Sequence, residues 1–133
     1  MKRFLFLHAT LLLTATVASA QEPQEPDIDK IVSTQLENIT RTFKLDDVQV
    51  FYADSILQHN YPAMMEELNQ VKKTGASNSD TFQAVSDKWM AATDEAFEKL
   101  FTEAQWAKYM KSVYGKEKKR RDKRMAERGP VSF

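Results

Sequence analysis

The chain has no cysteine. Disulfides, thiol nucleophiles, cysteine–zinc centres and a lipid-modified N-terminal cysteine are therefore all excluded. Its three glycines, Gly75, Gly115 and Gly129, stand alone, so no glycine-rich loop that cradles phosphate can be drawn. Histidine is scarce as well. Outside the N-terminal apolar run there is only His59, with no second histidine to complete a metal site or a triad. No stretch of alternating apolar residues is long enough for a strand. Carboxylates are plentiful, but those at 46/47, 66/67 and 94/95 are adjacent pairs that do not share a helix face. Asp46, Asp47, Asp80 and Glu103 fall in predicted first turns, where they suit the helix dipole. The sequence thus presents no catalytic, cofactor-binding or metal-ligating set, and an enzyme is not expected.

What is there begins with an export signal. Lys2 and Arg3 precede a mostly apolar run from Phe4 to Leu13, and Ala18-Ser19-Ala20 reads as an A-x-A cleavage site. The apolar run is far shorter than the roughly 20 residues that span a bilayer. Residues 1–20 are expected to be a cleaved signal peptide and the destination the periplasm, with secretion as the alternative. No later segment is apolar enough to span. The proline-containing residues 21–26 read as a flexible leader, 27–115 as a helical domain, and 116–133 as a basic helical extension.

Helical periodicity dominates the domain. Ile28, Ile31, Val32, Leu36 and Ile39 keep three- and four-residue spacing, and Phe43 closes the stripe. A second helix starts at Asp46, with Val50, Leu57, Met64 and Val71 recurring every seventh residue through Pro62. The unbroken phase predicts one kinked helix rather than two, although Asn60 could cap a fresh one. Thr74 to Asn78 is the clear turn. The third helix, capped by Ser79 or Asn78, carries Phe82, Val85, Trp89, Ala92 and Ala96 in a narrow seam. The fourth carries Trp106, Tyr109, Met110, Val113 and Tyr114, after which the core signal stops at Gly115. The expectation is an all-α antiparallel hairpin or bundle of about four helical segments, with a long kinked second helix and a charged C-terminal helix.

Charge is distributed unevenly. Residues 21–107 hold 16 acidic and 7 basic side chains; residues 108–128 hold 10 basic and 3 acidic. The basic tail comprises Lys116, Lys118, Lys119, Arg120, Arg121, Lys123, Arg124 and Arg128. It is read as a solvated face or a partner for the acidic body, with anionic lipid or an acidic client as the other readings. Export, and the lack of interleaved aromatics, argue against nucleic acid. Aromatic residues are too many for a thin hairpin to bury, so some should line a groove or a homodimer interface.

Two helix starts share one pattern. In Leu45-Asp46-Asp47-Val48-Gln49 and in Phe101-Thr102-Glu103-Ala104-Gln105, a capping Asp46 or Thr102 is followed three residues later by Gln49 or Gln105. Each is a capping box, with Leu45/Val50 and Phe101/Trp106 placed as hydrophobic staples. These segments resemble the paired LTxxQ motifs of the periplasmic Spy/CpxP-like proteins of Gram-negative bacteria. The stretch from Phe101 to Arg124 is also similar to small secreted proteins of Bacteroides-type bacteria. The resemblance implies a curved helical hairpin that dimerises into a cradle and acts as an ATP-independent chaperone or as an adaptor in envelope stress. Asp46 and Phe101 stand where the motif has threonine and leucine. The body here is acidic, whereas the family's client surface is basic and concave.

Taken together, the sequence leads us to expect an exported, non-enzymatic protein-binding protein whose partners are unfolded clients or an envelope component. Phe51, Tyr52, Met64, Met65 and Met90 are the candidate client surface, since methionine adapts to varied partners. The alternative is an assembly module whose basic tail docks on acidic surfaces of a neighbour or of the envelope.

Overall fold

The computed structural model describes residues 26–75 and 78–129. The signal peptide expected at 1–20, nearly all of the leader, and residues 130–133 lie outside the described residues. Among those described, the regular structure is entirely helical: α1 (Ile28–Phe43), α2 (Asp47–Lys73), α3 (Ser79–Leu100), α4 (Glu103–Lys111) and α5 (Val113–Arg128).

Short polar caps start each helix. Asp27 accepts from the Lys30 backbone N–H, Asn78 from Thr81, and Ser112 from Tyr114. Asn78 rather than Ser79 caps α3. Pro62 lies inside a continuous α2, so the phase argument describes the helix and the fresh start at Asn60 does not occur. Asn60 is instead buried, with its Nδ2 donating to Thr93 Oγ1 of α3 at 2.9 Å. Further along the same hairpin, Glu67 accepts from Trp89 Nε1 and Lys88 Nζ, each at 2.7 Å. These contacts set α2 and α3 antiparallel.

The expected fourth segment is two helices. The chain breaks at Ser112, which has extended backbone angles and whose Oγ donates to the Tyr109 carbonyl at 2.6 Å. Helix α5 begins at Val113, so the boundary expected between 115 and 116 falls inside a helix. It runs antiparallel to α3 and packs on it.

The core lies where the two inter-helix elbows meet. Val32, Ile39, Phe43, Leu45, Ala53, Leu57, Phe97, Phe101 and Tyr109 form one buried cluster. Aromatic rings give it much of its volume: Phe97 stacks on Phe101 with centroids 5.3 Å apart, Phe43 touches Phe101, Tyr109 and Tyr114, and Trp106 and Tyr114 stack on Tyr109. Ring contacts of this kind add about 0.5–1.5 kcal/mol per pair beyond area burial. Most of the aromatic surplus is therefore consumed inside one subunit.

The two capping boxes meet in this core. Gln49 Oε1 accepts from the Asp46 N–H at 3.1 Å and Gln105 Oε1 from the Thr102 N–H at 2.9 Å, so each glutamine first caps its own helix. Their amide groups then face each other: Gln49 Nε2 donates to Gln105 Oε1 at 2.7 Å, and Gln105 Nε2 returns a bond to Gln49 Oε1 at 3.0 Å. Each Nε2 also reaches the end of the opposite preceding helix. Gln49 donates to the Leu100 carbonyl at 3.2 Å and Gln105 to the Phe43 carbonyl at 3.3 Å. The pair thus satisfies donors at two helix starts and acceptors at two helix ends, groups that helix geometry leaves orphaned. Glutamate could cap as well but could not donate, so the motif needs the amide.

Such a pair is coupled. Gln49→Ala and Gln105→Ala are each expected to destabilise by about 2 kcal/mol, because each strands the other's amide, that of Gln49 buried and that of Gln105 half-buried. The double substitution should cost less than the sum of the two by about 1 kcal/mol or more in urea unfolding. Strict additivity would count against the paired arrangement.

Candidate functional site

Two regions are candidates for a site: the face of α3 that receives α5, and the outer face of α2. The first is ionic. Asp87 and Asp94 are seven residues apart on α3, two turns along one face, and both are almost fully buried, at 1 % and 2 % exposed. Asp94 accepts from the buried Arg121 guanidinium and from the Tyr109 hydroxyl, the latter at 2.7 Å. Burial, and then the Asp94 carboxylate, push the Tyr109 phenol far above its ordinary range. Asp87 receives Arg124 through Nε at 3.1 Å and a terminal nitrogen at 2.7 Å, Gln83 at 3.0 Å, and Arg128 at 3.3 Å.

The basic tail is thus partly a structural strap. Arg121, Arg124 and Arg128 are committed to α3. Lys118, Arg120 and Lys123 pair with Asp122, Glu117 and Glu127 of α5 itself. Lys116 and Lys119 are exposed.

Asp87 gives a pH prediction. Burial drives its carboxyl upward, but hydrogen bonds from Arg124, Gln83 and Arg128 outweigh that and hold it below the usual carboxylate range. A carboxyl whose folded pKa is depressed stabilises the fold above the unfolded value and loses that contribution as the pH falls through the folded value. Stability in urea should therefore hold down to about pH 4 and then decline. Asp87→Asn should start lower at neutral pH and decline less. An unchanged acid slope in that variant would exclude Asp87 as a source of the decline.

The second region is apolar and open. Val48, Phe51 and Tyr52 are 65 %, 67 % and 53 % exposed. Their spacing puts them on one face of the first turns of α2, and the two rings meet edge to face with centroids 5.4 Å apart. A groove lies on each side of this ridge. One, about 530 Å³, runs between α1 and α2 past Leu36, Thr40, Val50 and Asp54. The other, about 320 Å³, runs between α2 and α3 past Tyr52, Ile56, His59, Ala92 and Ala96. His59 sits on this second wall, its Nδ1 2.9 Å from Asn60 Oδ1 and its ring 6.1 Å from that of Trp89.

The five candidate client residues are not gathered on one surface. Phe51 and Tyr52 are exposed and adjacent, whereas Met64, Met65 and Met90 are half-buried. Met64 repeats the phase of the fully buried Leu57 and so faces inward. Met65 shares the phase of Phe51 but lies about 21 Å along the axis from it. Met90 is two residues before Ala92, about 200° around α3 from the groove wall. Sequence reading missed Val48, which helical spacing from Phe51 and Tyr52 would have added. It also missed Asp87 and Asp94, whose seven-residue interval matches the 121/124/128 stripe on α5.

Among the described residues there is no group of three or more His, Asp or Glu side chains that could hold a metal ion, and no helix is long and apolar enough to cross a membrane. No protein-family model matches the chain, and no curated protein or solved structure proved detectably similar to it.

Proposed function

We propose that this chain is a non-enzymatic protein-binding protein of the cell envelope, exported by its N-terminal signal, that holds apolar segments of partly unfolded partners in the manner of a Spy/CpxP-like chaperone or stress adaptor. The observation that carries the reading is the exposed ridge of Val48, Phe51 and Tyr52 between two grooves. Rings packed on each other and left in water lose free energy that a partner would recover on covering them. The capping boxes enter as fold-forming residues, since their side chains are spent on the elbow. The assembly reading, in which the basic tail docks elsewhere, is left with fewer free cations, because three arginines already sit on α3.

The test is an aggregation assay. Residues 21–133 are added, without ATP, to a chemically unfolded substrate. Suppression near an equimolar ratio is expected, and Phe51→Ser with Tyr52→Ser should remove most of it while leaving helix content and urea midpoint unchanged. No suppression at any ratio would overturn the general chaperone reading.

A further inference from the structure

The charges around the α2 ridge specify which apolar segments it would take. Asp47 lies four residues before Phe51 and Asp54 three after it, so a carboxylate stands one turn away on each side of the exposed ring. Neither has an ion-pair partner among the described residues. Arg41 lines the α1–α2 groove together with Glu37 and Asp54, and Arg41 and Lys99 each already have a carboxylate partner on their own helix. Arg41 lies 3.9 Å from Glu37 on α1, and Lys99 lies 2.7 Å from Glu95 on α3. Lys44, at the elbow, is exposed. Among the described residues, eight of the fourteen remaining Lys and Arg side chains are on α5, which packs on α3 and α4.

From this placement we infer that the ridge selects apolar segments flanked by lysine or arginine. This deepens the protein-binding reading above and rests on it. A cation beside an apolar anchor would meet Asp47 or Asp54 in a partly desolvated setting and could also lie over the Phe51 or Tyr52 ring, which attracts positive charge to its face. A segment flanked by glutamate would bring like charges together there and be rejected. A second copy docked ridge to ridge would be rejected for the same reason, because a two-fold interface sets each subunit's Asp47 and Asp54 against its partner's.

The experiment is fluorescence anisotropy with three labelled peptides added to residues 21–133. One carries Leu and Phe anchors with Lys flanks, one has the same anchors with Glu flanks, and one has Lys flanks with Ser in place of the anchors. The Lys-flanked apolar peptide is expected to bind at least tenfold more tightly than the other two at low salt, with the gap to the Glu peptide narrowing at high salt. Asp47→Asn with Asp54→Asn should close most of that gap without lowering affinity for the Glu-flanked peptide. Equal binding of the Lys- and Glu-flanked peptides by the unmodified protein would overturn the selectivity while leaving the protein-binding reading intact. Equal binding of the Ser peptide would show charge alone at work and overturn it too. Binding of no peptide would remove both readings together.

Discussion

Asp94→Ala is expected to destabilise the protein by about 3–5 kcal/mol, the usual cost of removing one partner from a buried ion pair. Asp94 is 2 % exposed and Arg121 6 %. Without the carboxylate, the guanidinium and the Tyr109 hydroxyl are both left in the core with no acceptor. The loss is a large share of the roughly 5–15 kcal/mol that holds a typical domain, so the melting temperature should fall by more than about 10 °C. Arg121→Met should behave similarly from the other side. The informative comparison is Asp94→Leu, Tyr109→Phe and Arg121→Met made together. Removing all the polar groups at once avoids stranding any of them, so the triple variant should be more stable than Asp94→Ala. A triple variant no better than the single would mean that the cluster does more than satisfy itself. Urea unfolding followed by circular dichroism reads both.

Gly115→Ala carries the second large effect, and its sign is the point. Inside an ordinary helix, replacing glycine by alanine stabilises by about 1 kcal/mol. Here a Cβ would fall closer than 3.0 Å to the carbonyl oxygen, carbonyl carbon and Cα of Met110. That is backbone of α4, which cannot swing aside as the tip of a long side chain could. Accommodating the methyl group means opening the α4–α5 elbow and shifting the register that brings Arg121 and Arg124 to their aspartates. A net destabilisation on the order of 2 kcal/mol or more is expected. Tyr114, which stacks on Tyr109 beside the elbow, should change its near-ultraviolet signal. A stabilised Gly115→Ala variant would mean that the elbow is looser than the close approach to Met110 implies.

These effects show which parts of the structure could be read in advance. Capping boxes are local, so Asp46, Gln49, Thr102 and Gln105 announce themselves within four residues. The continuity of α2 through Pro62 was also legible, because the apolar phase on either side is the same. The break at Ser112 was not, since Lys111-Ser112-Val113 contains neither glycine nor proline and continues a helical pattern. Gly115 marked the place but read as the end of packing, when it is buried with no room for a Cβ beside the Met110 backbone. The joining of the two glutamines, and of α5 to α3, is non-local. Each stripe was present in the sequence, yet nothing local says that Asp87 and Asp94 face Arg121, Arg124 and Arg128. The proposed binding face was half legible. Phe51 and Tyr52 were singled out as surplus, but the methionines grouped with them follow other helical phases.

The proposed division of labour, with α5 strapped to α3 and the α2 ridge left to bind partners, is most directly tested by mapping amide chemical-shift changes when an apolar, Lys-flanked peptide is titrated into isotope-labelled protein. Changes centred on Val48 to Ser55, Ile56, His59, Ala92 and Ala96, with α5 silent, are the predicted result. Changes centred on Lys116 to Arg128, with the Phe51 and Tyr52 amides unmoved, would contradict it and return the function to the basic helix.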